Sequence, residues 1–346
     1  MGTVRSNTDA ARPFRLIAVL AVGALAAAAL GGCSSDQPQA AARTTPKPAA
    51  VPVSPVSLVS PLTGLAPSPA GSVVAVKVDD TAPGRPSMGL DKSDVIYIEE
   101  AEGGESRMVV VFASAMPKVR AVRSVRSSDP ELLGPYGRIV LVASGGGGSA
   151  LPTLDRSTLW SSINDRNGPG FSRDSSRQAP YNLVSDLAKV SAARKGAGVR
   201  DVGFTWGAVD PRLATAKPAL KVNTRVGSTN VSFVWDAKVA RYVRTVGGRR
   251  ILAADGAPIA QANVLVQYCT ISQDRSDVDV LGNPSMYTKT IGTGTVVLFR
   301  DGRRIAGTWS RPSYGARTTF KDAAGTELLF APGGTFVVLV RPGAPA

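Results

Sequence analysis

The sequence predicts an α/β N-terminal domain, a mixed sheet with helices, followed by a smaller antiparallel all-β C-terminal domain. Three observations carry this. Mainly apolar runs recur at 73–78, 95–99, 108–113 and 138–143, the pattern of strands covered on both faces. Helix signals fall between and after these runs. Beyond a break near 207–217 containing two Pro, alternating segments with Asp-Gly and Gly-Gly turns take over.

The chain opens with a segment that is not part of the fold. Arg5, Arg12 and Arg15 precede an uncharged run at 16–30, the length of a signal-peptide core and short for a spanning helix. The run ends in Leu30-Gly31-Gly32-Cys33, which resembles the bacterial lipobox. Residues 1–32 then read as a lipoprotein signal peptide, with diacylglycerol on the Cys33 sulfur after cleavage. Two acyl chains suffice for stable anchoring. The competing reading is an ordinary secretory signal with an incidental Cys. Residues 33–60, rich in Pro, Ala and Ser, read as a tether reaching ~80 Å in polyproline form. These features place the protein on the outer face of the bacterial cytoplasmic membrane.

The α/β domain is expected over 61–206. Asp129-Pro130 is a helix start, with Asp129 as cap and Pro130 at the first position. The spacing of Leu183, Val184, Leu187, Ala188 and Val190 predicts one amphipathic helix over 181–194. A linker at 207–217 leads to the β domain at 218–346. There, 294–300 and 303–309 flank Asp301-Gly302, a type I′ hairpin signal. Cys269 ends an apolar run and reads as a buried thiol; a reactive nucleophile is the sharper alternative, without His or an obvious cation beside it.

Composition narrows the chemistry. The 346 residues include no His and two Cys. That excludes a Ser-His-Asp triad, a Cys-His pair, an imidazole base and a Cys-rich zinc site. The formal charge is +14, with 40 Lys plus Arg against 26 Asp plus Glu. Either GC-rich coding produced the Arg excess, or it serves attraction to anions such as phospholipid heads, wall phosphates or lipid-linked pyrophosphates. Nucleic acid is not an expected partner, because no basic block is interleaved with aromatics.

Four segments could carry chemistry together. They are Asp79-Asp80 at a strand end, Glu102 to Arg107 before the next strand, the Arg120/Arg123/Arg126 series, and the turn Ser144-Gly145-Gly146-Gly147-Gly148-Ser149. Strand ends of an α/β sheet converge on one edge. Guanidinium forks suit phosphate oxygens, and a Gly-rich turn entering a helix offers N–H donors. The expected anion-binding residues are therefore Arg107, Arg123, Arg126, Gly147, Gly148 and Ser149. Asp79 or Asp80 could hold Mg²⁺ against the same phosphate. The plainer readings are surface ion pairs with Glu99, Glu100, Glu102 and Glu105, and a flexible glycine loop. Ser149 as a nucleophile lacks a positioned base.

Taken in order, several motifs look familiar. Pro61-Leu62-Thr63-Gly64-Leu65, Val76-Lys77-Val78-Asp79-Asp80, Glu102-Gly103-Gly104 and Val122-Arg123-Ser124-Val125-Arg126 come first. Gly147-Gly148-Ser149, Arg177-Gln178-Ala179-Pro180-Tyr181-Asn182, Gly307-Thr308-Trp309 and Pro332-Gly333-Gly334-Thr335 follow. The series resembles the YerB-like lipoproteins over nearly all of 61–340. That family implies location and architecture, with no activity attached. It often carries His beside such motifs, for instance where Tyr181 stands here, so an essential His is not implied. The first half is also similar to the LytR-CpsA-Psr phosphotransferases, which grip lipid-linked pyrophosphate with Arg. That resemblance implies Arg107, Arg123 and Arg126 as grips and Asp79 as a metal ligand. Two functions follow as expectations. One is a tethered module binding an anionic wall polymer; the other is a phosphotransferase or hydrolase acting on polyprenyl-pyrophosphate sugars.

Overall fold

The computed structural model describes residues 58–279 and 282–346. The expected signal peptide, Cys33 and the tether as far as residue 57 lie outside the described residues. Among the described residues, no helix is long and apolar enough to cross a membrane.

Strands β1 (Val74–Asp79), β2 (Val95–Glu100) and β3 (Ser106–Phe112) form at the first three apolar runs, and every residue in them is buried. Helix α1 (Asp129–Leu133) starts at the Asp-Pro pair. Asp129 does not cap it. Its carboxylate instead accepts from Lys77 Nζ at 2.8 Å and from the Arg126 N–H at 2.7 Å. β4 (Val140–Ala143), α2 (Ala150–Arg156) and β5 (Trp160–Ile163) follow.

The single helix expected over 181–194 is corrected. Leu183–Asp186 is a strand paired with Lys118–Arg120 and Phe171–Arg173, and only α3 (Leu187–Ala193) is helical. Asp186 accepts from the Lys189 N–H and so starts the helix late. Leu183 and Val184 are buried as strand residues, a burial that helical spacing imitates.

The second half supplies β6 (Lys221–Val226), β7 (Thr229–Asp236), β8 (Arg241–Val246), β9 (Asn263–Tyr268), β10 (Ile271–Val278) and β11 (Pro284–Thr288). Then come β12 (Gly292–Arg300), β13 (Arg303–Arg311) and β14 (Thr335–Val340). The hairpin β12–β13 turns at Asp301 (φ 51°) and Gly302 (φ 68°), both left-handed as a type I′ turn requires.

An eleven-stranded sheet runs through both halves. From the short strand Lys217–Pro218 its order is β13-β12-β9-β14-β2-β3-β1-β4-β5, and the eleventh strand, Thr319–Lys321, pairs with β13. The expectation of a purely antiparallel second half is therefore corrected: β14 is parallel to β9 on one side and to β2 on the other. The protein is sheet-rich, with few and short helices.

Alternation along the central strands feeds two cores. Val109 and Val111 enter one; Val110 and Phe112 enter the other. The first core is closed by Leu132 and Leu133 of α1, Ala150 and Leu154 of α2, and an aromatic cluster at Phe204, Phe320 and Phe330. The second lies under a smaller sheet, β6-β7-β8 with short additions, and under α3.

Candidate functional site

The site is built where β1 ends and β3 begins. Asp79 lies opposite Arg107 in their antiparallel ladder. The segment after Arg120 crosses β1: Val122 bridges to Val78, and the Arg123 N–H donates to the Lys77 carbonyl at 2.9 Å. These backbone contacts bring Arg107, Arg123 and Arg126 to one cleft of about 600 Å³. Its lining also includes Glu102, Gly147 and Asp165.

The three guanidinium groups are not equivalent. Arg126 Nε and Nη2 bind the two Glu102 oxygens at 3.0 and 2.6 Å, and its Nη1 donates to the carbonyls of Ser124 and Val125. Burial works against the Glu102 carboxylate, but Arg126 outweighs it and holds the pKa below the ordinary value. Arg126 is thus committed to the cleft wall, not open to a ligand as the sequence suggested.

Arg107 and Arg123 are held loosely. Arg123 Nη1 is 3.5 Å and Arg107 Nε 3.9 Å from Asp79 Oδ2, beyond hydrogen-bonding distance. Those three atoms are buried and make no hydrogen bond. The Arg123 guanidinium lies 5.5 Å from the centroid of the Tyr181 ring, a cation–π contact that fixes its plane. Burial, with Arg107 adding to it, lowers the Arg123 pKa despite Asp79; an arginine stays charged after such a shift.

The structure separates the two adjacent aspartates. Asp79 Oδ1 accepts from the Thr81 N–H and hydroxyl at 2.7 and 2.5 Å, leaving the buried Oδ2 toward Arg107 and Arg123. Asp80 faces away and accepts from Arg244 at 2.5 Å and Ser106 at 2.6 Å. Burial opposes ionisation of Asp80, but Arg244 dominates and its pKa falls below the ordinary value. Neither residue fits the expected Mg²⁺ role. Asp80 is neutralised by arginine, Asp79 faces two more, and no cluster of three ligand residues suited to a metal occurs among the described residues.

The glycine turn also differs from its expected role. Ser149 donates its N–H to the Ser276 carbonyl at 2.8 Å, and its hydroxyl joins Asp274 and Ser276. A Cβ on Gly148 (φ +38°) would sit 1.9 Å from the Ser276 oxygen, and one on Gly147 would sit 2.5 Å from the Val278 oxygen. These residues are small so that β10 can approach; only Gly147 also lines the cleft. Gly148→Ala is expected to destabilise the fold by about 2 kcal/mol and to raise amide hydrogen exchange in Ile271–Val278. Unchanged exchange there would refute the packing role.

The plainer reading, an ion pair with Glu102, holds for Arg126; sequence reasoning missed Tyr181 under Arg123 and the β10 side of the cleft. Tyr181 stood inside a noted motif, but its pairing with Arg123 spans 58 positions and has no local signal. Cys269 is buried, and burial pushes its thiol up to about 12, which removes the nucleophile alternative.

Known proteins align with this architecture. Residues 62–200 match the N-terminal domain, and residues 220–337 the C-terminal domain, of a family described as "Protein of unknown function (DUF3048)". The chain is 29% identical over 314 residues to the "Putative lipoprotein YerB" of Bacillus subtilis (strain 168), covering 84% of this chain and 88% of that one. The crystal structure of the YerB protein from Bacillus subtilis superposes with a TM-score of 0.69 at 24% identity, covering 82% of this chain and 96% of that chain, which shows a shared fold. With both domains matched in order over most of its length, this chain belongs to the DUF3048 family.

Proposed function

We propose that the protein is a lipid-anchored lipoprotein on the outer face of the cytoplasmic membrane. Its Arg107/Arg123 cleft binds an anionic envelope ligand such as a wall polymer or a polyprenyl pyrophosphate. The relative's description as a lipoprotein and the Leu30-Gly31-Gly32-Cys33 motif support the address. One observation carries the binding. Arg107 Nε and Arg123 Nη1 are buried, aimed at a shared carboxylate oxygen, and make no hydrogen bond. Buried guanidinium N–H groups without a partner are costly. An anion oxygen entering beside Asp79 would satisfy both.

Charge at the site is mixed. Arg126 neutralises Glu102, and Asp79 answers one of the remaining two cations. Glu105, Asp165 and Asp279 also line the cleft, away from these pairs. The positive excess is therefore confined to Arg107 and Arg123, where one anionic group of the ligand would sit. The alternative, phosphotransfer or hydrolysis of a lipid-linked phosphosugar, draws on the same two arginines and gains no separate observation.

Calorimetric titration with inorganic pyrophosphate tests the reading. Charged hydrogen bonds contribute about 1.5–3 kcal/mol each, so Arg123→Ala should weaken binding roughly tenfold or more. Arg166→Ala, whose exposed side chain pairs with Asp155 elsewhere, should bind as wild type. Equal affinity for wild type and Arg123→Ala would end the proposal.

A further inference from the structure

The Arg107/Arg123 cleft does not stand alone. It shares Glu105 with a neighbouring cleft of about 480 Å³ that passes Thr81, Arg85, Thr229 and Asp80, the last paired with Arg244. That cleft in turn shares Asn230, Ser232 and Gly247 with a third, of about 840 Å³, on β6–β8. The three form a continuous groove from the end of β1 across the small sheet.

The ionisable side chains lining the third cleft are Lys221, Arg225 and Arg341, and no carboxylate lines it. Arg341 is held by both oxygens of Glu100 at 2.8 and 3.0 Å. Lys221 and Arg225 are exposed and make no ion pair among the described residues. They share a face of β6 four residues apart, roughly 13 Å at strand rise. One phosphate cannot bridge that span, but successive charges of a chain can.

Between the cations lies a polar surface. Arg225 pairs across to Asn230, Asn223 to Ser232, and Ser232 to Thr245. Thr245, on the same face as Ser232 and Asn223, lines the cleft, and its hydroxyl is buried without a hydrogen-bond partner. No aromatic residue lines it. That disfavours stacking of nucleobases and suits hydroxyl groups.

From this we infer that the groove takes an extended, phosphodiester-linked polyol polymer. Its terminal anion sits at Arg107 and Arg123 and its chain crosses Lys221 and Arg225. The inference rests on the anion site proposed above and specifies its ligand class.

The test titrates the full chain, in detergent, with glycerol phosphate as a single unit, a short oligomer and a long oligomer, and with poly-glutamate of matched charge. Affinity should rise at least tenfold from the single unit to the long oligomer. The double variant Lys221→Glu/Arg225→Glu, altered only at exposed positions, should lose that gain and keep the affinity for the single unit. Poly-glutamate should bind at least tenfold more weakly than the long oligomer. Absence of a length gain, an unaffected double variant, or equal binding of poly-glutamate would each overturn the polymer assignment. Should Arg123→Ala bind the single unit as wild type does, the failure lies instead with the anion site.

Discussion

Lys77→Met is expected to lose about 3–5 kcal/mol of stability, the cost of stranding a buried charge by removing its partner. Lys77 is fully buried in β1, with its ammonium between Glu99 and Asp129. Burial disfavours its charge, but the two carboxylates outweigh that and raise its pKa above the ordinary value. Without the ammonium, Asp129 keeps the Arg126 N–H and its contact with the Glu99 carboxyl. Native proteins hold about 5–15 kcal/mol in total, so the melting temperature should fall by roughly 6 °C or more. The double variant Lys77→Met/Asp129→Leu removes both charges and should melt above Lys77→Met alone. If it melts lower, the ion pair is not what β1 depends on.

The same cluster fixes a pH dependence. Burial pushes the Glu99 carboxyl up to about 8, with Lys77 opposing and Asp129 adding to the rise. A pKa raised on folding means that the native state binds the proton more tightly. Its stabilisation is complete below the ordinary carboxyl range and is lost as pH rises toward 8. Wild type should thus lose stability from this group as pH rises from about 5 to about 8. Glu99→Gln, neutral at every pH, should show a flatter slope of melting temperature against pH. Parallel slopes would refute the assignment.

These groups also show where sequence reading works and where it stops. Apolar runs located β1 to β3, and Asp301-Gly302 located its hairpin, because both signals are local. Placing 335–340 between 95–100 and 263–268 has no local signal, since β14 meets β2 across more than 200 residues. Arg123 and Arg126 look alike in sequence, each in a Val-Arg-Ser triplet. Glu102, from a separate loop, makes one structural and leaves the other open. Gly147 and Gly148 satisfy a pattern that serves phosphate binding or close packing, and only the position of β10 decides. Lys77 inside an apolar run was itself a signal, because a lysine buried in a strand requires a buried carboxylate.

Arg244→Met should be nearly as damaging, about 3–5 kcal/mol at neutral pH, and it probes how the halves are joined. Arg244, buried on β8, donates to Asp80 beyond the end of β1 at 2.5 Å and contacts Met108 Sδ at 3.2 Å. Its loss leaves Asp80 with Ser106 and a more distant Arg85 at 3.5 Å. The sign with pH is opposite to that of Glu99. Asp80 has a lowered native pKa, so its contribution is present above the ordinary carboxyl range and is lost as pH falls through the depressed value. In Arg244→Met the buried carboxyl takes up a proton more readily. The stability gap to wild type should therefore narrow between pH 7 and pH 4 in urea melts. Arg244→Met/Asp80→Asn should recover part of the loss at pH 7. A gap unchanged with pH, together with no recovery, would mean the pair does not hold the small sheet to β1. Because the main sheet also crosses from β2 to β14, wild type and both variants should each unfold in one transition. The two segments matched at 62–200 and 220–337 then belong to a single cooperative fold.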